Sequence, residues 1–155
     1  MRLKFSLAFA AIVLIPASAW ARKDLGITQA EEEAFSAAAQ MFSDSAQDKL
    51  SVVEAFEDYI SQYPTTPRVV DAQFMVGESY MQQGLGILRA EASNKKGSRE
   101  KFLSHKNPTA IKALEDARAA FEHAANDKKS GLGASAGYRL GEVAYNQKDW
   151  QRAVV

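Results

Sequence analysis

The stretch DAQFMVGESY at residues 71–80 decides the fold, because its pattern recurs 64 positions later (141 − 77). The second copy lies within AGYRLGEVAY at residues 136–145, and it aligns Gly77-Glu78 with Gly141-Glu142. A glycine inside a helix costs about 1 kcal/mol relative to alanine, so a repeated one indicates a packing reason. We therefore predict a helical repeat protein in which Gly77 and Gly141 lie where a second helix comes closest.

The composition suits one helical domain and excludes several classes of function. The chain has 155 residues, 25% of them charged, and only four prolines. Its formal net charge is zero, so no overall field favours nucleic acid or an anionic membrane. It contains no cysteine. Disulfides, thiolate metal sites, cysteine nucleophiles and a lipid-modified cysteine are therefore excluded.

The N-terminus has the features of a secretory signal peptide. Arg2 and Lys4 precede an apolar run at residues 5–15, and the segment ends in Ala19-Trp20-Ala21. The alternative is a membrane anchor, but this run is short against the roughly 20 apolar residues that a spanning helix needs. We predict that residues 1–21 are removed after Ala21 and that the protein is periplasmic or secreted. No later apolar run is long enough to span a membrane.

Helix signals recur along the predicted mature chain. After a leader at residues 22–28, Thr28 and Glu31 fit a capping box, in which each side chain caps the backbone of the other. Asn107 and Pro108 fit the start of another helix, and Gly131 is suited to a left-handed turn. The first two predicted helices cover about residues 29–43 and 46–62. The third begins at Pro67 and is weakened by Gly84 and Gly86. The fourth covers residues 108–126, the fifth contains the second copy of the repeated pattern, and the sixth begins at Trp150.

A basic segment interrupts this order. Residues 94–106 contain five lysine or arginine residues and one glutamate, a formal charge of +4 (5 − 1). We expect this segment to be a solvated loop or helix extension rather than a binding element. If it does bind an acidic polymer, the affinity should fall steeply with added salt.

The paired helices resemble tetratricopeptide repeats, whose units of about 34 residues are helix–turn–helix motifs. Val76-Gly77 with Tyr80, and again Leu140-Gly141, fit the first helix of a repeat, and Ala117 with Phe121 fits the second. Gly77 and Ala117 are 40 positions apart (117 − 77) where the pattern needs about 12, so we expect an insertion at about residues 84–107. The closest resemblance is to exported bacterial envelope proteins, such as the periplasmic coordinator of the Tol-Pal system and the repeat-bearing lipoprotein of the outer-membrane assembly machine.

The resemblance implies an all-α fold, a short right-handed solenoid of antiparallel helix pairs at residues 29–155 with an incomplete last repeat. It implies a non-enzymatic adaptor that holds a protein or peptide partner in the envelope, and an incomplete repeat could also self-associate. An envelope-polymer module that binds peptidoglycan is the alternative. The groove positions implied by the family are Phe74, Glu78, Met81, Gln82, Tyr138, Glu142, Tyr145 and Asn146. Ordinary packing between helices is the alternative for the same residues.

The residues offer no catalytic or metal site. His105 lies in the basic segment and His123 on the fourth helix, and no acidic residue is spaced to support either. Glu78 and Glu142 are a repeat apart, which favours groove-lining or solvated charges over a catalytic pair. The glycines at residues 131–137 lack the preceding strand of a phosphate loop. We expect no enzyme activity, cofactor, metal or nucleic-acid partner.

Overall fold

The computed structural model describes residues 26–94 and 107–147, and within those ranges the regular secondary structure is entirely α-helical. The prediction of an all-α chain is confirmed for this part. The helices are α1 (Gln29–Ser43), α2 (Lys49–Gln62), α3 (Val69–Asn94), α4 (Pro108–Asn126) and α5 (Gly133–Asn146). The predicted signal peptide, the basic segment from residue 95 onward and the sixth helix from Trp150 lie outside the described residues.

Three helices begin at polar side chains that accept hydrogen bonds from the first-turn amides. Thr28 Oγ1 accepts from the Glu31 amide at 3.2 Å. Asn107 Oδ1 accepts from two amides of α4, at 3.0 and 3.1 Å. The predicted bounds of α4 are confirmed at both ends. By contrast, α2 begins three residues later than predicted, because Asp48 is its cap and residues 44–47 form a turn.

Helix α3 begins later than predicted and is longer than its glycines suggest. Thr66 and Pro67 form a turn before it, and the first helical residue is Val69. The helix then continues through Gly84 and Gly86 to Asn94, a length of 26 residues. The first part of the expected insertion, residues 84–94, is therefore a helical extension. Its Leu88 is 2% exposed, so packing in the core compensates for the glycines.

Two glycines of α3 lie against α4. A Cβ atom added to Gly77 would meet ring atoms of Phe121 at 2.7–3.0 Å. One added to Gly84 would meet Leu114 Cγ at 3.0 Å and the Ala110 carbonyl oxygen at 3.2 Å. Real Cβ atoms almost never lie as close to another residue as the 2.7 Å found at Gly77. The prediction that a second helix comes closest at Gly77 is confirmed, and the same prediction for Gly141 stays a prediction.

The buried side chains form two clusters that meet on α3. The first cluster lies among α1, α2 and the start of α3, with Phe56 and Tyr59 as its largest buried members. The second lies among the rest of α3, α4 and α5, around Leu114, Phe121 and Val143. Each helix packs on the next one along the chain.

The turn before α5 positions that helix on α4. Asp127 Oδ1 accepts hydrogen bonds from the amides of Lys129 at 2.6 Å and Ser130 at 3.1 Å. Gly131 follows with a φ of +74°, as its sequence context predicts, because residues with a side chain rarely adopt this conformation. Helix α5 then buries Ala136, Val143 and Ala144.

Candidate functional site

The groove residues predicted on α3 are mostly taken up in packing. The Phe74 ring packs edge to face on Phe121, with centroids 5.4 Å apart and an interplanar angle of 62°. Met81 is 5% exposed and belongs to the second core cluster. Of these three residues, only Gln82 is exposed.

Glu78 is buried at the contact between α3 and α5. It is 2% exposed, and the guanidinium of Arg139 faces its carboxylate. Arg139 Nη2 donates to Glu78 Oε2 at 3.1 Å, and Arg139 Nε makes an ion-pair contact with Oε1. Both carboxylate oxygens therefore face a nitrogen of one guanidinium, an arrangement that favours a fixed orientation.

Glu142 shares the same arginine. Arg139 Nη1 donates to Glu142 Oε2 at 2.5 Å, over a spacing of three residues on α5. The structure thus brings the two repeated glutamates, which the sequence places a repeat apart, onto one cation. The sequence analysis missed this cluster of Glu78, Arg139 and Glu142, which we call the acidic triad. The one signal available was Arg139 standing three positions before Glu142, where helical side chains meet.

The electrostatics of the acidic triad follow from burial and pairing. Burial raises the pKa of Glu78, because it penalises the charged form, and the charge of Arg139 only partly opposes that effect. Burial acts to lower the pKa of Arg139, but the hydrogen bond to Glu142 and the charge of Glu78 outweigh it and the pKa is raised. Arg139 therefore remains a cation.

The groove residues predicted on α5 lie together on an open surface. An open depression there is lined by Tyr138, Glu142, Tyr145 and Asn146 together with the small residues Gly133, Ala134, Gly137 and Gly141. Tyr138 is 66% exposed and Tyr145 is 55% exposed. Asn146 Nδ2 donates to the Glu142 carbonyl oxygen at 2.7 Å, within the helix. We call this surface the α5 face.

A second polar cluster joins α1 to α2 and to the turn before α3. Glu31 is 7% exposed, and its carboxylate accepts hydrogen bonds from the hydroxyls of Tyr59, at 3.3 Å, and Thr66. Burial, together with the nearby carboxylate, raises the pKa of Tyr59 to about 12. The capping-box prediction is therefore only half right. Thr28 caps the helix as predicted, but the Glu31 carboxylate, which was expected to reach back to Thr28, binds the distant hydroxyls of Tyr59 and Thr66.

Arg68 extends this second cluster. Its Nη2 lies 2.6 Å from Glu32 Oε2, and its guanidinium carbon lies 4.6 Å from the centroid of the Phe35 ring. An arginine stacked on an aromatic ring and paired with a carboxylate is a common structural contact. Each of these groups bonds to another helix or turn of the same chain, so the cluster holds α1 against the rest of the fold.

Other candidate chemistry is sparse in the described part of the chain. His123 is exposed on α4, and His105 lies outside the described residues. Across residues 26–94 and 107–147, no three His, Cys, Asp or Glu side chains are placed to hold a metal ion. Among the helices described, none combines the length and apolarity needed to cross a membrane.

The α5 face and the acidic triad are the candidate functional sites, because in each the fold brings together residues of the repeated sequence pattern. Comparison of the chain with protein-family models, with curated proteins and with solved structures finds no match.

Proposed function

We propose that this chain is a tetratricopeptide-like adaptor, exported to the bacterial envelope, that holds a protein or peptide partner on its α5 face. The proposed role is not enzymatic. The proposed fold of the chain is a short right-handed solenoid of antiparallel helix pairs, in which α3 and α4 form one repeat and α5 begins the next.

The contacts between α3 and α4 support the repeat part of this proposal. Gly77 lies against Phe121, whereas Gly84, seven positions later, lies against Leu114, seven positions earlier. This reversed order is what two antiparallel helices produce. In the resembled family the small residue of the first helix packs on the second helix in this way.

The observation that carries the binding part is the exposure of Tyr138 and Tyr145 on one face of α5. The two residues are seven positions apart, so they lie two turns apart on the same side of the helix. Exposed tyrosines offer a large contact area and a hydroxyl group, which is why they are enriched in protein interfaces. On α3 the equivalent of Tyr138 is Phe74, which α4 covers. The binding surface that we propose is therefore narrower than the groove expected from the sequence.

A capture experiment with a matched control tests this proposal. The exported protein and a Tyr138→Ala, Tyr145→Ala variant are each used to capture partners from envelope extracts, with quantitative mass spectrometry as the readout. Leu50→Ala is the control, because Leu50 is also an exposed apolar residue, at 44%, but lies on α2. Circular dichroism of each variant establishes that the helices are retained.

We expect the tyrosine variant to lose specifically captured proteins that the parent and the Leu50→Ala variant retain. If all three capture the same proteins in the same amounts, the α5 face does not bind the partner and the proposal is wrong.

A further inference from the structure

The acidic triad leaves a net negative charge on the α5 face. The charged residues of α5 are Arg139 and Glu142, and Glu78 reaches this helix from α3. One cation is thus shared by two carboxylates, a net charge of −1 (1 − 2). Arg139 directs Nε and Nη2 to the buried Glu78 and only Nη1 to Glu142. The charge in excess is therefore at Glu142.

Glu142 is also the more accessible of the two carboxylates. Its side chain is 35% exposed, against 3% for Glu78, and it lines the depression of the α5 face. A positive group that approached this face would reach Glu142 without displacing Arg139 from Glu78. The protein has already desolvated one carboxylate and oriented the other, so little rearrangement is needed on binding.

Two aromatic rings flank this carboxylate. Tyr138 is four positions before Glu142 and Tyr145 is three positions after it, and residues at these spacings are neighbours on a helix surface. The faces of aromatic rings attract cations within about 6 Å, and a planar guanidinium can stack on a ring while it donates to a carboxylate. The order aromatic, carboxylate, aromatic along one face thus matches the chemistry of an arginine side chain.

We propose that the stripe of Tyr138, Glu142 and Tyr145 binds an arginine-bearing segment of the protein partner, an inference that rests on the proposed adaptor function. The guanidinium lies against Glu142 between the two rings. Gly137, which also lines the depression and where an added Cβ atom would have no neighbour within 4 Å, allows the backbone of the segment to approach the helix closely.

Synthetic peptides test this inference without knowledge of the natural partner. Three fluorescein-labelled nine-residue peptides are compared by fluorescence anisotropy, with the repeating sequences Ala-Arg-Ala, Ala-Gln-Ala and Ala-Glu-Ala. We expect the arginine peptide to bind most tightly and the glutamate peptide least. The affinity of the arginine peptide should fall as the sodium chloride concentration is raised, because partly exposed charges are screened.

Variants then locate the binding. Glu142→Gln should weaken binding of the arginine peptide by up to about fivefold, the range of a partly exposed ion pair. Tyr138→Ala should weaken it to a similar extent, and Glu142→Asp should restore part of what Glu142→Gln loses. Glu54→Gln is the control, since it removes the same charge from an exposed position on α2. It should change the affinity by less than about twofold.

The outcomes separate this inference from the proposed function. If Glu142→Gln and Tyr138→Ala leave binding of the arginine peptide unchanged, or if the glutamine peptide binds as tightly, the inference is wrong. In that case the proposed function still stands provided the tyrosine double variant loses the captured envelope protein. If that variant keeps the envelope protein as well, both are wrong. A dimer in sedimentation that Tyr138→Ala dissociates would assign the face to a second copy of the chain and overturn the inference.

Discussion

Replacement of Gly77 by alanine is the sharpest available test of the packing between α3 and α4. The added Cβ atom would lie 2.7 Å from one carbon of the Phe121 ring, 2.8 Å from a second and 3.0 Å from a third. The ring cannot move away cheaply, because Phe121 is fully buried and packs edge to face on Phe74. The backbones of the two helices must therefore separate slightly, or the ring must leave its preferred rotamer.

Two opposing terms set the size of the effect. Alanine is better than glycine in the middle of a helix by about 1 kcal/mol. An extra methyl group in a well-packed core costs about 1–3 kcal/mol. We expect Gly77→Ala to lower the free energy of unfolding by about 1 kcal/mol, or the Tm by about 4 °C for a domain of this size.

Gly86→Ala is a matched control on the same helix. A Cβ atom at Gly86 would have no neighbour within 4 Å, so this variant should show the helix-propensity gain alone and be more stable by about 1 kcal/mol. The difference between the two variants in urea denaturation isolates the overpacking term. A Gly77→Ala protein as stable as Gly86→Ala would show that α4 does not press on Gly77, and the packing argument would fail.

Three further predictions concern other sites. Asn107→Ala should lower the free energy of unfolding by about 1 kcal/mol in urea denaturation, because two amides of α4 lose their cap. Arg139→Met should lower it by about 3 kcal/mol at neutral pH, because Glu78 would be buried without its cation. The raised pKa of Glu78 means that the folded chain holds a proton more tightly than the unfolded chain, so its contribution to stability is larger at acid pH and falls as the pH rises. Removal of Arg139 should raise the pKa of Glu78 further, because burial then acts without the opposing cation. Denaturation at pH 5 and pH 7 should therefore show a smaller deficit for Arg139→Met at pH 5, where more of the buried carboxyl is protonated, and an equal deficit would contradict this. N-terminal sequencing of exported material should begin at Arg22, and retention of Met1 would contradict the predicted cleavage.

Local signals in the sequence were sufficient to predict several helix ends. Asn107 and Pro108 act within one turn of the chain, so the start of α4 depends on no distant contact. The continuation of α3 through Gly84 and Gly86 could not be predicted in the same way. It depends on Leu88 and Leu114, whose burial requires α4 to lie alongside. Tertiary packing outweighs the local preference there.

Part of the candidate site could also be predicted, because the spacing of residues along one helix is a local signal. The helical spacing correctly places Tyr138, Glu142 and Tyr145 on one face of α5. It could not show that Phe74 is covered by Phe121, or that Glu78 meets Arg139 at a separation of 61 residues. Those contacts depend on how α3 and α5 are rotated about their own axes, and a hydrophobic pattern does not specify the rotation to within one side chain.

The position of α3 in both core clusters has a consequence for local unfolding. At 26 residues the helix is about 39 Å long. Its N-terminal half packs with α1 and α2 and, through Phe74 and Gly77, also with Phe121 of α4, whereas its C-terminal half packs with α4. If α1 and α2 open, the N-terminal half of α3 loses those neighbours but keeps its contacts with α4. Amide hydrogen exchange should therefore be slowest near Gly77 to Met81, where the two clusters meet, and faster towards α1 and α5. Partial unfolding would then proceed inward from both ends, and α3 would be the last helix to lose its hydrogen bonds.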